Sequence, residues 1–251
     1  MQRKFGWKRD LPDHRDHLFA APPQLLTKLP PLIDLRPLCP PVYDQLSLGS
    51  CTANAIAGAM EFDQMQQVKE HFTPSRLFIY YNERAIEDTV NSDAGASIRD
   101  GIKSVSKQGA CKETTWTYNI TKFKKKPSAA AYKEALKYKA VTYQRVTQSM
   151  SQMKGCLAAG HPFVFGFTIY DSFVMDATAK NADMPMPGAR EGAQGGHAVL
   201  CVGYDDKTQR FTILNSWGES FGKKGCFTLP YAYLTSHDLS ADFWVIQQVQ
   251  I

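Results

Sequence analysis

Four polar residues in distant parts of the chain have the chemistry of a nucleophilic site. Cys51 follows Gly49 and Ser50 and begins a stretch, ending near Gln66, that is apolar on nearly all sides and so predicts a buried helix. A thiol at a helix N-terminus faces the partial positive charge of that helix, so a lowered pKa is expected. Because a lone cysteine in this position is more often a packing residue, the chemistry depends on partners elsewhere.

Three side chains are suitable partners for this thiol. His197 follows two glycines and begins an apolar run to Tyr204, which predicts an imidazole at the open end of a buried strand, where it can act as a general base. Asn215 ends the next predicted strand, and antiparallel pairing would bring its carboxamide oxygen to the imidazole. Gln45 precedes Cys51 by a short loop and offers an amide donor to a developing oxyanion.

Three sequence blocks resemble the active-site blocks of papain-like cysteine peptidases. They are Asp44 to Asn54, Gly196 to Tyr204 and Asn215 to Gly218, and the order Gln, Cys, His, Asn is also that of the family. The spacing from the cysteine to the histidine is close to the one expected for papain-like enzymes, with the asparagine slightly late. The resemblance covers about residues 31–251.

This resemblance implies a fold, a set of roles and a substrate site. The fold would be α+β with two lobes, a helical lobe over about 45–136 and an antiparallel β-barrel-like lobe over about 137–251 plus 31–44, with the cleft between them. Cys51 would be the nucleophile, His197 its base, Asn215 the residue that orients the imidazole, and Gln45 the oxyanion donor. Substrate would contact mostly small residues that leave room for a bulky apolar side chain, with a tryptophan beside them: Gly95, Ala96, Ser97, Gly195, Gly196, Ala198 and Trp217. No cofactor and no metal are implied.

Two positions depart from the family pattern. Thr52 follows the nucleophile, where a Trp or Tyr is usual, and Leu48 stands in place of a cysteine that is normally bridged. The remaining five of the six cysteines have no CxxC pair and no zinc-ligand spacing. A missing disulfide fits a bacterial-type or intracellular member, since reducing compartments do not sustain such bonds.

Residues 1–30, here named the leader segment, precede the part of the chain that resembles the mature enzymes. Eight of the 14 prolines fall within the first 45 residues and disfavour helix there. Trp7, Leu11, Leu18 and Phe19 make the segment too apolar for a solvated tail. We therefore expect the leader segment to pack on the enzyme as an intramolecular inhibitor, although it is shorter than the helical propeptides of longer relatives. A flexible tail is the alternative.

Composition and charge exclude several other classes of protein. A formal net charge of +5 is too weak to indicate a nucleic acid partner, and no apolar run has the ~18 to 20 residues of a membrane span. The absence of an apolar stretch behind the first basic residues predicts a cytoplasmic protein, or one exported by a route without a classical signal peptide. The run from Lys122 to Lys126 is interpreted as a solvated face, and only weakly supports a small anionic or nucleotide ligand. A monomer is expected.

The function predicted from these features is that of a cysteine endopeptidase acting on protein or peptide substrates. Two alternatives stay open at this point, a catalytically inactive binding protein with the papain fold, and an acyltransferase or deamidase that uses the same Cys-His chemistry.

Local patterns predict a helix with Thr73 as N-cap and Pro74 as first residue, and another from Ser97 to about Lys107. Strands are predicted at five places: Pro162 to Ile169, His197 to Tyr204, Arg210 to Leu214, Gly225 to Leu229 and Phe243 to Val249.

Overall fold

The computed structural model describes residues 3–67, 71–178 and 182–250. Within these ranges the α-helices are α1 (Pro23–Thr27), α2 (Cys51–Gln67), α3 (Arg76–Ile86), α4 (Ile98–Lys107), α5 (Ala129–Ala135), α6 (Met150–Ala158), α7 (Asp171–Thr178) and α8 (Tyr231–Thr235). The strands are β1 (Trp7–Lys8), β2 (Leu18–Phe19), β3 (Leu32–Asp34), β4 (Ala96–Ser97), β5 (Ala140–Val146), β6 (Phe163–Tyr170), β7 (Ala193–Asp205), β8 (Arg210–Leu214), β9 (Cys226–Pro230) and β10 (Ser240–Val249). None of the helices so described is long and apolar enough to cross a membrane.

One eight-stranded sheet combines six strands of the C-terminal half of the chain with β2 and β3 from its start. Its strands follow the order β2-β5-β10-β6-β7-β8-β9, and β3 pairs with β7 beside this path. All of these pairings are antiparallel except that of β2 with β5. The leader segment contributes β2 to this sheet and β1 to a small parallel pair with β4. Leader and enzyme therefore share backbone hydrogen bonds at two separate places.

Helix α2 is the link between the helices and the sheet. Every residue from Cys51 to Gln64 is buried, because α2 packs on β7 and β10 with one side and on α3 and α4 with the other. Alanines and Gly58 supply most of its first half, so neighbouring backbones can approach closely without a loss of helix propensity at the alanines. The first residue of α2 is thereby held at the junction of the two halves.

The N-cap predicted for α3 was wrong by two residues. Ser75, not Thr73, caps the helix, and its Oγ accepts a hydrogen bond of 3.1 Å from the Phe78 amide. Pro74 lies before the cap because it bridges to Lys112 in an extended conformation, which also lets the Ser75 amide donate to the Cys111 carbonyl. Helix α4 begins as predicted, with Ser97 as its N-cap.

The position predicted for His197 within its strand was also wrong. Strand β7 begins at Ala193, so the imidazole projects from inside the strand and not from its open end. The preceding glycines belong to the strand because β6 pairs opposite both of them, Ile169 with Gly195 and Thr168 with Gly196. Strand β7 packs on α2, and the amide of Ala198, the residue after His197, hydrogen-bonds to the Cys51 thiol at the start of that helix.

Candidate active site

Cys51 is the first residue of α2 and is fully buried. The turn before it is fixed by the Gly49 amide, which donates to Asp93 Oδ1 over 3.0 Å. Burial raises the pKa of the Cys51 thiol to about 11, and backbone hydrogen bonds from Ala198 and Gly6 act against this shift. The direction is opposite to the lowered pKa expected from the helix N-terminus, because with the leader segment in place desolvation of the thiol outweighs these hydrogen bonds.

His197 and Asn215 meet across two neighbouring strands. Asn215 directly follows β8, whose antiparallel pairing with β7 brings its Oδ1 to 2.8 Å from His197 Nε2. Burial lowers the pKa of the imidazole to about 4, the hydrogen bond to Asn215 opposes this, and the charge of Arg3 lowers it further. Nδ1 is left without a hydrogen-bond partner among the described residues. The indole of Trp217 lies with its ring centre 5.0 Å from the imidazole.

Gln45 lies buried beside the same turn. Its Oε1 accepts a 2.8 Å hydrogen bond from Ser216 Oγ, so the orientation of the amide group is fixed by the loop that follows Asn215. Its Nε2 donates to the Leu48 carbonyl over 3.0 Å and to the Lys4 carbonyl over 3.1 Å. The donor predicted for an oxyanion is thus occupied by a carbonyl of the leader segment.

The leader segment runs through the cleft between α2 and β7. Arg3 Nη2 donates to the Trp217 carbonyl over 3.0 Å, and the Phe5 ring lies 6.3 Å from the imidazole of His197, measured between ring centres. The Gly6 carbonyl accepts a 2.8 Å hydrogen bond from the Ala96 amide. These contacts cover the thiol, the imidazole and the amide donor at once.

Trp7 fills a recess next to these groups, here called the Trp7 recess and formed by Gly166, Gly196 and Asp242. A Cβ atom added at either glycine would overlap the Trp7 residue, so only glycine leaves room for it. The indole Nε1 donates to Asp242 Oδ2 over 3.1 Å, and Trp7 is only 7% exposed. Hydrophobic burial and one charged acceptor together hold the side chain.

A buried ionic cluster anchors the leader segment beyond Trp7. Arg99 binds Asp16 through Nη2 at 2.5 Å, and Arg145 contacts Asp16 at 3.2 Å and Asp242 at 3.0 Å. Asp10 accepts from the amide of Arg99 at 3.0 Å and lies against Asp242. Burial, and then the charge of Asp242, raise the pKa of the Asp10 carboxyl to about 6.

The residues predicted to bind substrate divide into two groups. Gly95, Ala96, Gly195, Gly196 and Trp217 all lie against the leader segment in the cleft. Gly95 has φ of +69°, and a side chain there would overlap the Gly6 carbonyl. Ser97 also pairs with Lys8 of the leader segment and turns its hydroxyl to Asp100 as a helix cap, whereas Ala198 contributes a backbone hydrogen bond to Cys51.

Sequence patterns missed the acidic wall of this site. Asp242 lies in β10, and its side chain is 2% exposed. The signal was present, since an aspartate stands inside the otherwise apolar run from Ala241 to Ile246, where a buried charge needs a specific partner. Gly166, in the apolar β6, gave no comparable signal.

The sheet, the buried helix and the Cys-His-Asn geometry define a cysteine protease of the papain type. The family model described as papain family cysteine protease matches residues 29–237, and the chain therefore belongs to this family. Its α+β papain-like fold agrees with the prediction from sequence.

Three relatives show how far this similarity extends. An uncharacterized peptidase C1-like protein of Acanthamoeba polyphaga mimivirus is 39% identical over 274 residues, which cover 99% of this chain and 88% of that protein. Xylellain, a cysteine protease from Xylella fastidiosa, has 44% identity and a TM-score of 0.93, with 99% of this chain and 98% of that chain covered. A procathepsin B from Trypanosoma congolense shares the fold with a TM-score of 0.71 at 18% identity, covering 89% and 79% of the two chains.

Proposed function

We propose that this protein is a cysteine endopeptidase whose reaction uses Cys51, His197, Asn215 and Gln45, and whose leader segment keeps it latent. The observation that carries the proposal is the 2.8 Å contact of His197 Nε2 with Asn215. This contact occupies Nε2 and leaves Nδ1 of the imidazole for the Cys51 thiol. The thiol accepts a hydrogen bond from the backbone amide of Ala198, the residue after His197. A nucleophile, a base and an orienting group in this order are the requirement for acyl transfer.

The reaction follows from the positions of these groups once substrate replaces the leader segment. The thiol of Cys51 gives its proton to His197, and the thiolate attacks the peptide carbonyl carbon, forming a C–S bond and an oxyanion. Gln45 Nε2 donates to that oxyanion in place of the Lys4 carbonyl. The imidazolium then protonates the leaving amine as the C–N bond breaks, and water, deprotonated by His197, releases the acyl group and restores the thiol.

Latency is supported by the electrostatics of the covered site. With the leader segment in place, burial raises the thiol pKa and lowers the imidazole pKa, so both groups are neutral near pH 7. A thiol is a weak nucleophile in this state. Displacement of Arg3 also removes a cation that disfavours the imidazolium. Access and ionisation are therefore blocked by the same segment.

Substrate is proposed to bind along the edge that now holds Gly6. The Ala96 amide would donate to a substrate carbonyl, and the adjacent Trp7 recess would receive a substrate side chain. The residues before and after position 30 then have separate roles, an inhibitory leader segment (1–30) and a peptidase domain (31–251). The lobes predicted from sequence, about 45–136 and about 137–251 plus 31–44, would be the two walls of this cleft.

The test uses the full chain with a cleavage site for a sequence-specific peptidase inserted after the exposed Lys28. The protein is folded intact, cut, and given a mixture of peptides whose products are identified by mass spectrometry. New peptide termini should form faster after cutting, and Cys51→Ala should abolish them while Cys39→Ala, at a half-buried cysteine of the proline-rich stretch, should not. Altered side chains on an intact backbone would show a deamidase or transferase, and no turnover at all would show a binding protein. Equal rates before and after cutting, measured at a dilution at which the cut leader segment has dissociated, would refute the latency.

A further inference from the structure

We infer that Asp242 is a specificity-determining residue that makes the Trp7 recess select a neutral aromatic side chain with a hydrogen-bond donor, tryptophan above all, in the peptide substrate. The inference rests on the proposed function, because it concerns the site that opens when the leader segment leaves. It differs from the prediction from sequence, in which small walls alone would favour a bulky apolar side chain.

In the part of the chain that the structure describes, one carboxylate oxygen of Asp242 accepts hydrogen bonds only from the residues that occupy the recess and its edge. Oδ1 accepts from Arg145 Nη2 over 3.0 Å, whereas both donors to Oδ2 belong to the leader segment, Trp7 Nε1 at 3.1 Å and the Asp10 amide at 2.8 Å. Among the described residues no other group donates to Oδ2. When the leader segment departs, a buried acceptor loses both its partners, which is costly unless water or a substrate replaces them.

The shape of the recess favours a flat ring. The two glycines, Gly166 and Gly196, lie on the paired strands β6 and β7 where any side chain would overlap Trp7, so the indole lies over a stretch of sheet that has no side chains at these two positions. A phenylalanine ring fits such a flat surface but cannot donate to Oδ2. A leucine fills it poorly and also lacks a donor.

The charges around Asp242 decide between a neutral and a cationic guest. All hydrogen bonds from the Arg99 side chain go to the leader segment, to Asp16 and to the Leu11 carbonyl. Arg145 likewise contacts Asp10 and Asp16 in addition to Asp242. Without the leader segment, two guanidinium groups and one carboxylate remain, so an arginine or lysine guest would meet net positive charge. A neutral N–H donor satisfies Oδ2 without this repulsion.

The backbone at Asp242 provides a conservative variant for the test. Its φ is +60°, a left-handed conformation that asparagine adopts more readily than most residues. In Asp242→Asn the amide oxygen would stay with Arg145, so the NH₂ group would face the recess. A donor would then meet the donor of a tryptophan guest, and the preference should reverse in favour of phenylalanine.

The experiment compares peptides that differ only in the residue expected in the recess, Trp, Phe, Leu or Arg, with the full chain cut after Lys28. We expect kcat/KM for the Trp peptide to exceed that for the Phe peptide about 10-fold or more, the size of one hydrogen bond to a charged group. The Trp-to-Phe ratio should fall below one in Asp242→Asn. It should stay at the wild-type value in Asp34→Asn, which removes a carboxylate from the partly exposed ion pair with Arg36.

The outcomes separate this inference from the proposed function. Hydrolysis of all four peptides with Phe, Leu or Arg preferred, or a Trp-to-Phe ratio unchanged by Asp242→Asn, would overturn the role of Asp242 and leave the peptidase intact. Hydrolysis of none would overturn the proposed function first. If Asp242→Asn fails to fold, Arg145→Gln and the wild-type ratio still test the inference, because loss of the competing cation should raise the relative rate of the Arg peptide.

Discussion

Removal of the Trp7 side chain should open the latent form. Trp7 is 7% exposed and donates to a buried carboxylate, so Trp7→Ala loses both hydrophobic burial and a charged hydrogen bond. Truncation of a buried tryptophan costs about 3–5 kcal/mol. Since about 1.4 kcal/mol is tenfold in an equilibrium constant, the fraction of molecules with the leader segment displaced should rise on the order of 100- to 5,000-fold. Trp7→Phe, which keeps most of the ring, should give a rise of only about 10-fold.

The assay is the alkylation rate of Cys51 in the uncut chain, followed by peptide mapping at limiting iodoacetamide. When the leader segment opens and closes faster than alkylation, this rate reports the open fraction directly. Leu11→Ala is the matched control, because Leu11 lies in the same segment with its side chain 82% exposed, and it should label at the wild-type rate. A Trp7→Ala chain that labels within twofold of wild type would refute the claim that the Trp7 recess holds the leader segment closed.

Three further outcomes are expected. In the uncut chain, the difference in thiolate absorbance between wild type and Cys51→Ser should be absent up to about pH 9 and increase towards the raised thiol pKa of about 11. A thiolate near neutral pH before cutting would contradict the burial argument. The pKa of Asp10 is raised to about 6 with the leader segment in place, so between about pH 4 and 6 the docked leader segment holds a proton that the displaced leader segment releases. Protection of Cys51 from alkylation should therefore be strongest below about pH 4 and weaken as the pH rises through about 6. This pH dependence should be lost in Asp10→Asn. In the cut form, Asn215→Ala leaves the buried His197 Nε2 without its partner and should lower kcat/KM about 10- to 100-fold, whereas a rate above half of wild type would show that the asparagine does not orient the ring.

Local patterns in the sequence were sufficient for the elements that carry the predicted catalytic residues. The apolar stretch after Cys51 and the strand ending before Asn215 were identified because their periodicity depends only on near neighbours. The start of β7 was not, since the pair Gly195 and Gly196 has the character of a turn and forms strand only because β6 lies opposite. Helix α6 was not predicted at all.

Long-range contacts explain what sequence patterns could not predict at the site. The path of the leader segment is determined by partners more than 200 residues away, such as Asp242 for Trp7 and Trp217 for Arg3. Desolvation of Cys51, the largest cause of its raised pKa, is present with the leader segment in the cleft, and local sequence patterns do not reveal that path. Motif and spacing therefore predicted the contact of His197 with Asn215, but not the direction of the thiol pKa shift.

Two-point attachment of the leader segment has a consequence for the concentration at which the enzyme works. While the chain is intact, β1 and β2 are tethered to their sites, and short tethers give effective concentrations in the millimolar range. A single cut near Lys28 changes this into an ordinary bimolecular equilibrium. Cut enzyme would then remain inhibited at high concentration, where the leader segment rebinds, and become active on dilution. The concentration of the enzyme itself would therefore determine when proteolysis starts.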